Sequence, residues 1–176
     1  MRHAALAVLS AALLASCDRS PTAPHTGDPS RAAAGAQGAA AAAAASTKPA
    51  AFGSATILFG PNREKLAFHA ELRNGVATGH ARFNNTTAHV KGQIDVNCLV
   101  IVGNIARISG IVTKSNDPTI EGFEALFQVQ DNGEGHPSAD LASTVMLHEV
   151  GVGPNCQAPG EIDMVPITHG NIQVRP

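Results

Sequence analysis

Asn74-Gly75 constrains the fold of this chain more than any other feature. Between two alternating runs, Asn-Gly marks a two-residue hairpin turn, because both central positions of that turn need positive φ. Residues 64–73 place Leu66, Phe68, Ala70 and Leu72 on one side and Lys65, His69, Glu71 and Arg73 on the other. That period of two is a half-buried strand. Residues 76–83 answer with Ala77, Gly79, Ala81 and Phe83 inward and Thr78, His80 and Arg82 outward. Asn84-Asn85 predicts a second two-residue turn, since Asn tolerates the left-handed conformation. Residues 86–96 then turn Ala88, Val90, Gly92 and Ile94 inward, and Thr87, His89, Lys91 and Gln93 outward. The expectation is a three-stranded meander with one apolar and one polar face.

Further strands are predicted at 98–102 and 105–112, flanking Gly103-Asn104, and at 122–130, where Phe123, Ala125, Phe127 and Val129 alternate. A loop carries Asn116, Asp117 and Pro118, and Asp131-Asn132-Gly133-Glu134-Gly135 is another turn. The last strands are expected at 143–150, 161–167 and 171–175. About eight short strands with frequent turn signals predict an all-β fold, a single antiparallel sandwich or barrel over residues 51–176.

The start of the chain reads differently. Met1, Arg2 and His3 precede an apolar run from Ala4 to Ala15, broken only by Ser10. A basic start followed by a short apolar run reads as a secretory signal. The run ends Leu14-Ala15-Ser16-Cys17, which resembles the lipobox of bacterial lipoproteins. The resemblance implies a signal peptide over 1–16, cleavage before Cys17, a lipid on that cysteine, and a cell-envelope location facing the periplasm or exterior. The alternative is a soluble secreted protein with Cys17 as an odd thiol. Residues 17–50 are the expected anchor and linker, with Pro21, Pro24, Pro29 and a run of alanines from Ala39 to Ala45. They have no apolar stripe to bury, so a spacer is expected.

Residues 55–176 also resemble an uncharacterised all-β domain of hypothetical secreted bacterial proteins. Cys98-Leu99, Gly103-Asn104, Ala106, Gly110, Phe127-Gln128-Val129 and the Asp131–Gly135 turn carry the likeness. It implies the fold and no activity.

Composition narrows the function. A net charge of −2 and a pI near 6.4 lack the basic footprint of a nucleic-acid binder. With 6 Phe and neither Trp nor Tyr, few rings are present for stacking on bases or sugars.

Cys98 and Cys156 form an even pair once Cys17 is set aside, and an oxidising compartment favours a disulfide between them. The other reading is two free thiols. Closing so long a loop stabilises the fold by roughly 4 kcal/mol in the chain-entropy model.

If both asparagine turns hold two residues, His69 pairs with His80 and His80 with His89. Cβ atoms of directly opposed residues lie about 5 Å apart. Three imidazoles in a row then suit Zn²⁺ or Cu²⁺, with Glu71 as a fourth ligand or a partner of one. A plain polar face and a pH-dependent contact surface are the other readings. Arg82 and Lys91 share this face and oppose a cation. Asp131, Asn132, Glu134 and Asp140 offer oxygen ligands that suit Ca²⁺. A hairpin turn explains the same residues, and the spacing departs from the EF-hand loop.

Ser109, Ser138 and Ser143 lack the nucleophile-elbow context, and neither a zinc-protease motif nor a phosphate loop occurs. His136, His148 and the pair Glu161 and Asp163 lie near possible partners without forming a motif. The expectation is a non-enzymatic envelope lipoprotein. It is held to the membrane by its lipid, and binds a protein or surface polymer or fills a structural role. A metal-binding module is the first alternative, and a hydrolase with a site assembled only by the fold is the second. Leu126, Val145 and Leu147 fall out of phase with their strands, marking either an exposed apolar patch or a strand buried on both faces.

Overall fold

The computed structural model describes residues 48–134, 139–158 and 160–176. The expected signal peptide at 1–16, Cys17, nearly all of the linker, His136 and Ser138 lie outside them. Among the described residues the fold is all-β, a curled antiparallel sheet forming a half-barrel. The strands are β1 (Ala50–Phe59), β2 (Asn62–Arg73), β3 (Val76–Asn85), β4 (Val90–Val102), β5 (Ile105–Ser115), β6 (Glu124–Gln130), β7 (Leu141–Ala142), β8 (Met146–His148), β9 (Val165–Pro166) and β10 (His169–Arg175). Their order is β10-β1-β2-β3-β4-β5-β6-β7-β9, with β8 also beside β6. All of them fall inside one compact unit, Ala43–Pro176, which contains the whole buried core and so carries its own folding information.

Period-two alternation fills the concave side. Ile57, Leu66, Phe68, Phe83, Ile94, Ile108, Val112, Phe127, Val129 and Ile172 are buried there. The curl brings β2 against β6, so that Phe68 and Phe127 meet edge to face at 5.6 Å between ring centres. Such pairs contribute about 0.5–1.5 kcal/mol beyond the area they bury.

The first hairpin forms as expected. Asn74 and Gly75 both take positive φ, and His69 pairs with His80. The second does not. β3 runs on to Asn85, which pairs with Val90, and the intervening turn holds Thr86 to His89. Asn85 Oδ1 accepts from the N–H groups of Thr87 and Ala88. The Thr86 and Thr87 hydroxyls donate back to the carbonyls of Arg63 and Pro61. These local acceptors and donors hold the chain in a longer loop, as short polar side chains do.

Two strands expected at 86–96 and 98–102 are one, β4, with an irregularity between Val96 and Cys98. The extra residue, Asn97, shifts the alternation by one position. Val96 and Leu99 both point inward, and Cys98 is turned to the outer face. A bulge re-aims side chains in this way. Before Thr56, β1 carries a single strong β-former, Phe52, among Ala, Gly and Ser, and no strand is expected there from the sequence. It forms because β2 and β10 flank it on both sides. The strands expected at 143–150 and 161–167 shrink to β8 and β9, and the short β7 precedes the first of these ranges. Ser143 Oγ takes the N–H of Gln128, interrupting the ladder.

Gly79 sits at φ 152° with no room for a Cβ against the backbone of His69 and Ala70. Gly75, at φ 80°, faces open space. Gly79→Ala is therefore expected to cost the domain more than about 2 kcal/mol, through strain and displaced backbone. Gly75→Ala should cost about 1–2 kcal/mol from its left-handed conformation alone. Urea unfolding of both variants checks the order.

Candidate functional site

Asp131, Asn132, Glu134 and Asp140, read above as a calcium loop, stitch β6 to the free edge of β10. Asp140 Oδ2 accepts from Ile172 N at 2.9 Å and Asp131 Oδ2 from Val174 N at 2.9 Å. The other oxygens accept from Asn132 N and Gly133 N. Glu134 Oε1 takes the side-chain amides of Asn171 and Gln173. Asn132 bonds Ala139 O and Gln130. These oxygens are turned toward N–H donors rather than toward one common point. Among the described residues no group of three or more metal-ligating side chains converges.

The histidine row is likewise corrected. His69 and His80 stack at 6.1 Å between ring centres, with Phe52 next to His69 and Arg175 over the Phe52 ring. His80 pairs with Asp95, not with His89. His89 lies in the four-residue turn at φ 58°, outside any strand. Glu71 is held by Arg73 at 2.5 Å, and that bond lowers its pKa below the ordinary carboxylate range.

The disulfide expectation is met: Cys98 and Cys156 are bridged with 6.0 Å between Cα atoms. The bridge ties residues 149–164 across the outer face of β5 and β6. Arg107 Nε donates to Gln128, and its guanidinium clamps the carbonyls of Ala158 and Gly160. Ser109 Oγ donates to Glu124 and accepts from Cys156 N. His148 places its ring nitrogens against the carbonyls of Glu149 and Pro154. Leu126, only 1% exposed, lies under this strap, so β6 is buried on both faces. Val145 and Leu147 pack against the core. Glu161 and Asp163 are exposed on the strap.

Two features escaped the sequence reading. Glu64, in phase with Leu66 and Phe68, faces the interior at 3% exposure. It accepts from Val145 N at 2.9 Å. Burial pushes its pKa from 4.5 up to about 7, against the opposing pull of that N–H.

The other feature is a cationic face. Lys65 on β2, Arg82 on β3, Lys91 on β4 and Lys114 on β5 are all exposed on the outer side. In register, Thr56, Lys65, Asn84 and Lys91 form one row, and Ala67, Arg82, Gln93 and Lys114 the next. Two shallow concavities of about 410 and 400 Å³ adjoin along Arg82, Phe83 and Asn84. Ser54, Thr56, Lys65 and His169 line the first; Lys91, Gln93, Lys114 and Asn116 line the second. Among the described residues the one ion pair is Arg73–Glu71, away from these rows. The nearest carboxylates are otherwise engaged: Asp117 caps the short 3-10 turn Pro118–Ile120, and Glu121 accepts from Ser115 N. Asp95 lies one row further along β4. Each cation is opposed by a neutral residue, so the cations meet only as diagonal neighbours across the strands, and an external anion relieves their mild repulsion. Lys65, Arg82 and Lys91 were legible as one polar face. Lys114 was not, because its segment reads as a loop.

No family model, no curated protein and no solved structure matches this chain.

Asp140→Ala is expected to lower stability by about 2–3 kcal/mol, since a charged acceptor leaves two backbone donors. An unfolding midpoint equal to wild type would contradict the stitched edge. Glu64 binds its proton more tightly in the folded state. Its contribution is fully present below about pH 4.5 and lost as pH rises through about 7, roughly 3 kcal/mol in all. Glu64→Gln should flatten the pH dependence over that window and stabilise the domain at pH 8, read by denaturant titration at a series of pH values.

Proposed function

We propose that this protein is a non-enzymatic binding module of the bacterial cell envelope, anchored by a lipid on Cys17. It presents the outer face of β2–β5 to an anionic partner. One observation carries the binding reading: Lys65, Arg82, Lys91 and Lys114 share an exposed face with no ion-pair partner among the described residues. A charged array without counter-ions focuses potential and attracts an oppositely charged partner. The interleaved amides of Asn84 and Gln93 supply uncharged donors beside the cations. The non-enzymatic reading is supported by the duties of the groups best suited to chemistry. Ser109, Ser143, Glu64 and His148 each bond backbone groups, or in Ser109 also Glu124, that hold strands or strap in place.

Anchoring rests on the Leu14-Ala15-Ser16-Cys17 resemblance. In a bacterial host fed labelled palmitate, the full chain is expected to carry label and fractionate with membranes. Cys17→Ser is expected to lose both. Label and fractionation unchanged in the variant would remove the anchor from the proposal.

A further inference from the structure

We infer that the partner of the cationic face is an anionic phospholipid surface, docked by Lys65, Arg82, Lys91 and Lys114 against headgroup phosphates. This rests on the binding face proposed above and names its partner. Strands in a sheet lie about 4.8 Å apart, so cations on four consecutive strands span roughly 14 Å. That is a broad array, not a point-like pocket for one small anion. The two concavities on it are shallow and continuous, and their amides and hydroxyls are placed to meet phosphate and glycerol oxygens between the cations.

Three further observations favour a lipid surface over an acidic polymer. The two rows hold no aromatic ring, so they lack the stacking platforms that single-stranded nucleic acids use. Leu58, 50% exposed, pairs in register with Arg63 at the rim of the same face. An apolar side chain beside cations suits the boundary between headgroups and acyl chains. Six carboxylates lie elsewhere, Asp131, Glu134 and Asp140 at the β10 edge and Glu149, Glu161 and Asp163 on the strap, and the outward Glu71 and Asp95 lie outside the two cationic rows. A negatively charged surface therefore meets the rows of Lys65, Arg82, Lys91 and Lys114 most favourably. On the proposed anchoring, the face is a second membrane signal beside the lipid.

The test uses residues 43–176, which carry every strand, the disulfide and the core. Sedimentation with phosphatidylcholine vesicles, with and without phosphatidylglycerol, measures binding. Each cation near an anionic surface strengthens binding about fivefold. Lys65→Gln, Arg82→Gln, Lys91→Gln and Lys114→Gln combined are expected to weaken binding to the anionic vesicles by about a hundredfold or more. A control with the same loss of charge outside the two cationic rows, at Lys48, Arg73, Arg107 and Arg175, should lose far less. Thermal unfolding shows that each variant is folded; should the control fail at Arg107, the triple change without it serves. Rising salt should weaken wild-type binding steeply. Equal binding to neutral and anionic vesicles overturns the inference, as does equal loss in the control. Tighter capture by a soluble acidic polysaccharide than by the vesicles assigns the face to a polymer and also overturns it. The palmitate experiment reads the anchor separately. A labelled Cys17 with no vesicle binding ends this inference alone, and vesicle binding without label ends the anchor alone.

Discussion

Two amide groups at the free edge of β10, those of Ile172 and Val174, set the condition that the rest of the domain meets. An open strand edge presents unpaired N–H groups and invites pairing with another chain. Asp140 and Asp131 accept these donors, and Glu134 takes the neighbouring side-chain amides. With the edge satisfied by carboxylates from the segment after β6, the sheet stays curled. The curl lets Phe68 and Phe127 pack across the concave side. The oxygens of these acids that bond are directed at amides on several segments rather than at one common point.

The convex side is divided in two by a one-residue bulge. Asn97 turns Cys98 outward, where it meets Cys156 and fastens the 149–164 strap over β5 and β6. That half of the outer face becomes a second buried layer, with Leu126, Ser109 and Gln128 beneath it. The rest of the outer face, over β1–β4 and the Lys114 end of β5, stays open to solvent and carries the cations. Charge placement follows the topology: the strap and the β10 edge hold six carboxylates, and the open part of the outer face holds Lys65, Arg82, Lys91 and Lys114.

The histidine row failed for an instructive reason. Expected pairing put Phe83 opposite Thr86; the structure puts it opposite Gly92. The displacement is an even number of residues, and an even slip leaves every side chain on its expected face. Hence the alternation of β4 was read correctly while His80 acquired Asp95 as its neighbour. Glu64 was hidden differently. Its phase already placed it on the apolar side, but a carboxylate at a strand end reads as exposed until Val145, far along the chain, is brought to it. The cations of β2–β4 were in view as obstacles to a metal. Lys114 joined them only because β5 extends through Thr113, an irregular position, to Ser115.

By itself the sequence determined the all-β class, the Asn74-Gly75 hairpin and the inward residues of β2, β3 and β6, and it favoured Cys98 and Cys156 as a pair, which the structure bridges. All of these follow from local periodicity, from the backbone demands of one turn, or from counting cysteines. Tertiary structure decided the register of β3 with β4, the closure of the β10 edge by distant carboxylates, the strap over β6 and the burial of Glu64. Each of these depends on which residues meet across large sequence separations. A period of two specifies a face but not a partner, and a carboxylate does not show in advance whether it will meet water, a metal or a strand's unpaired amide.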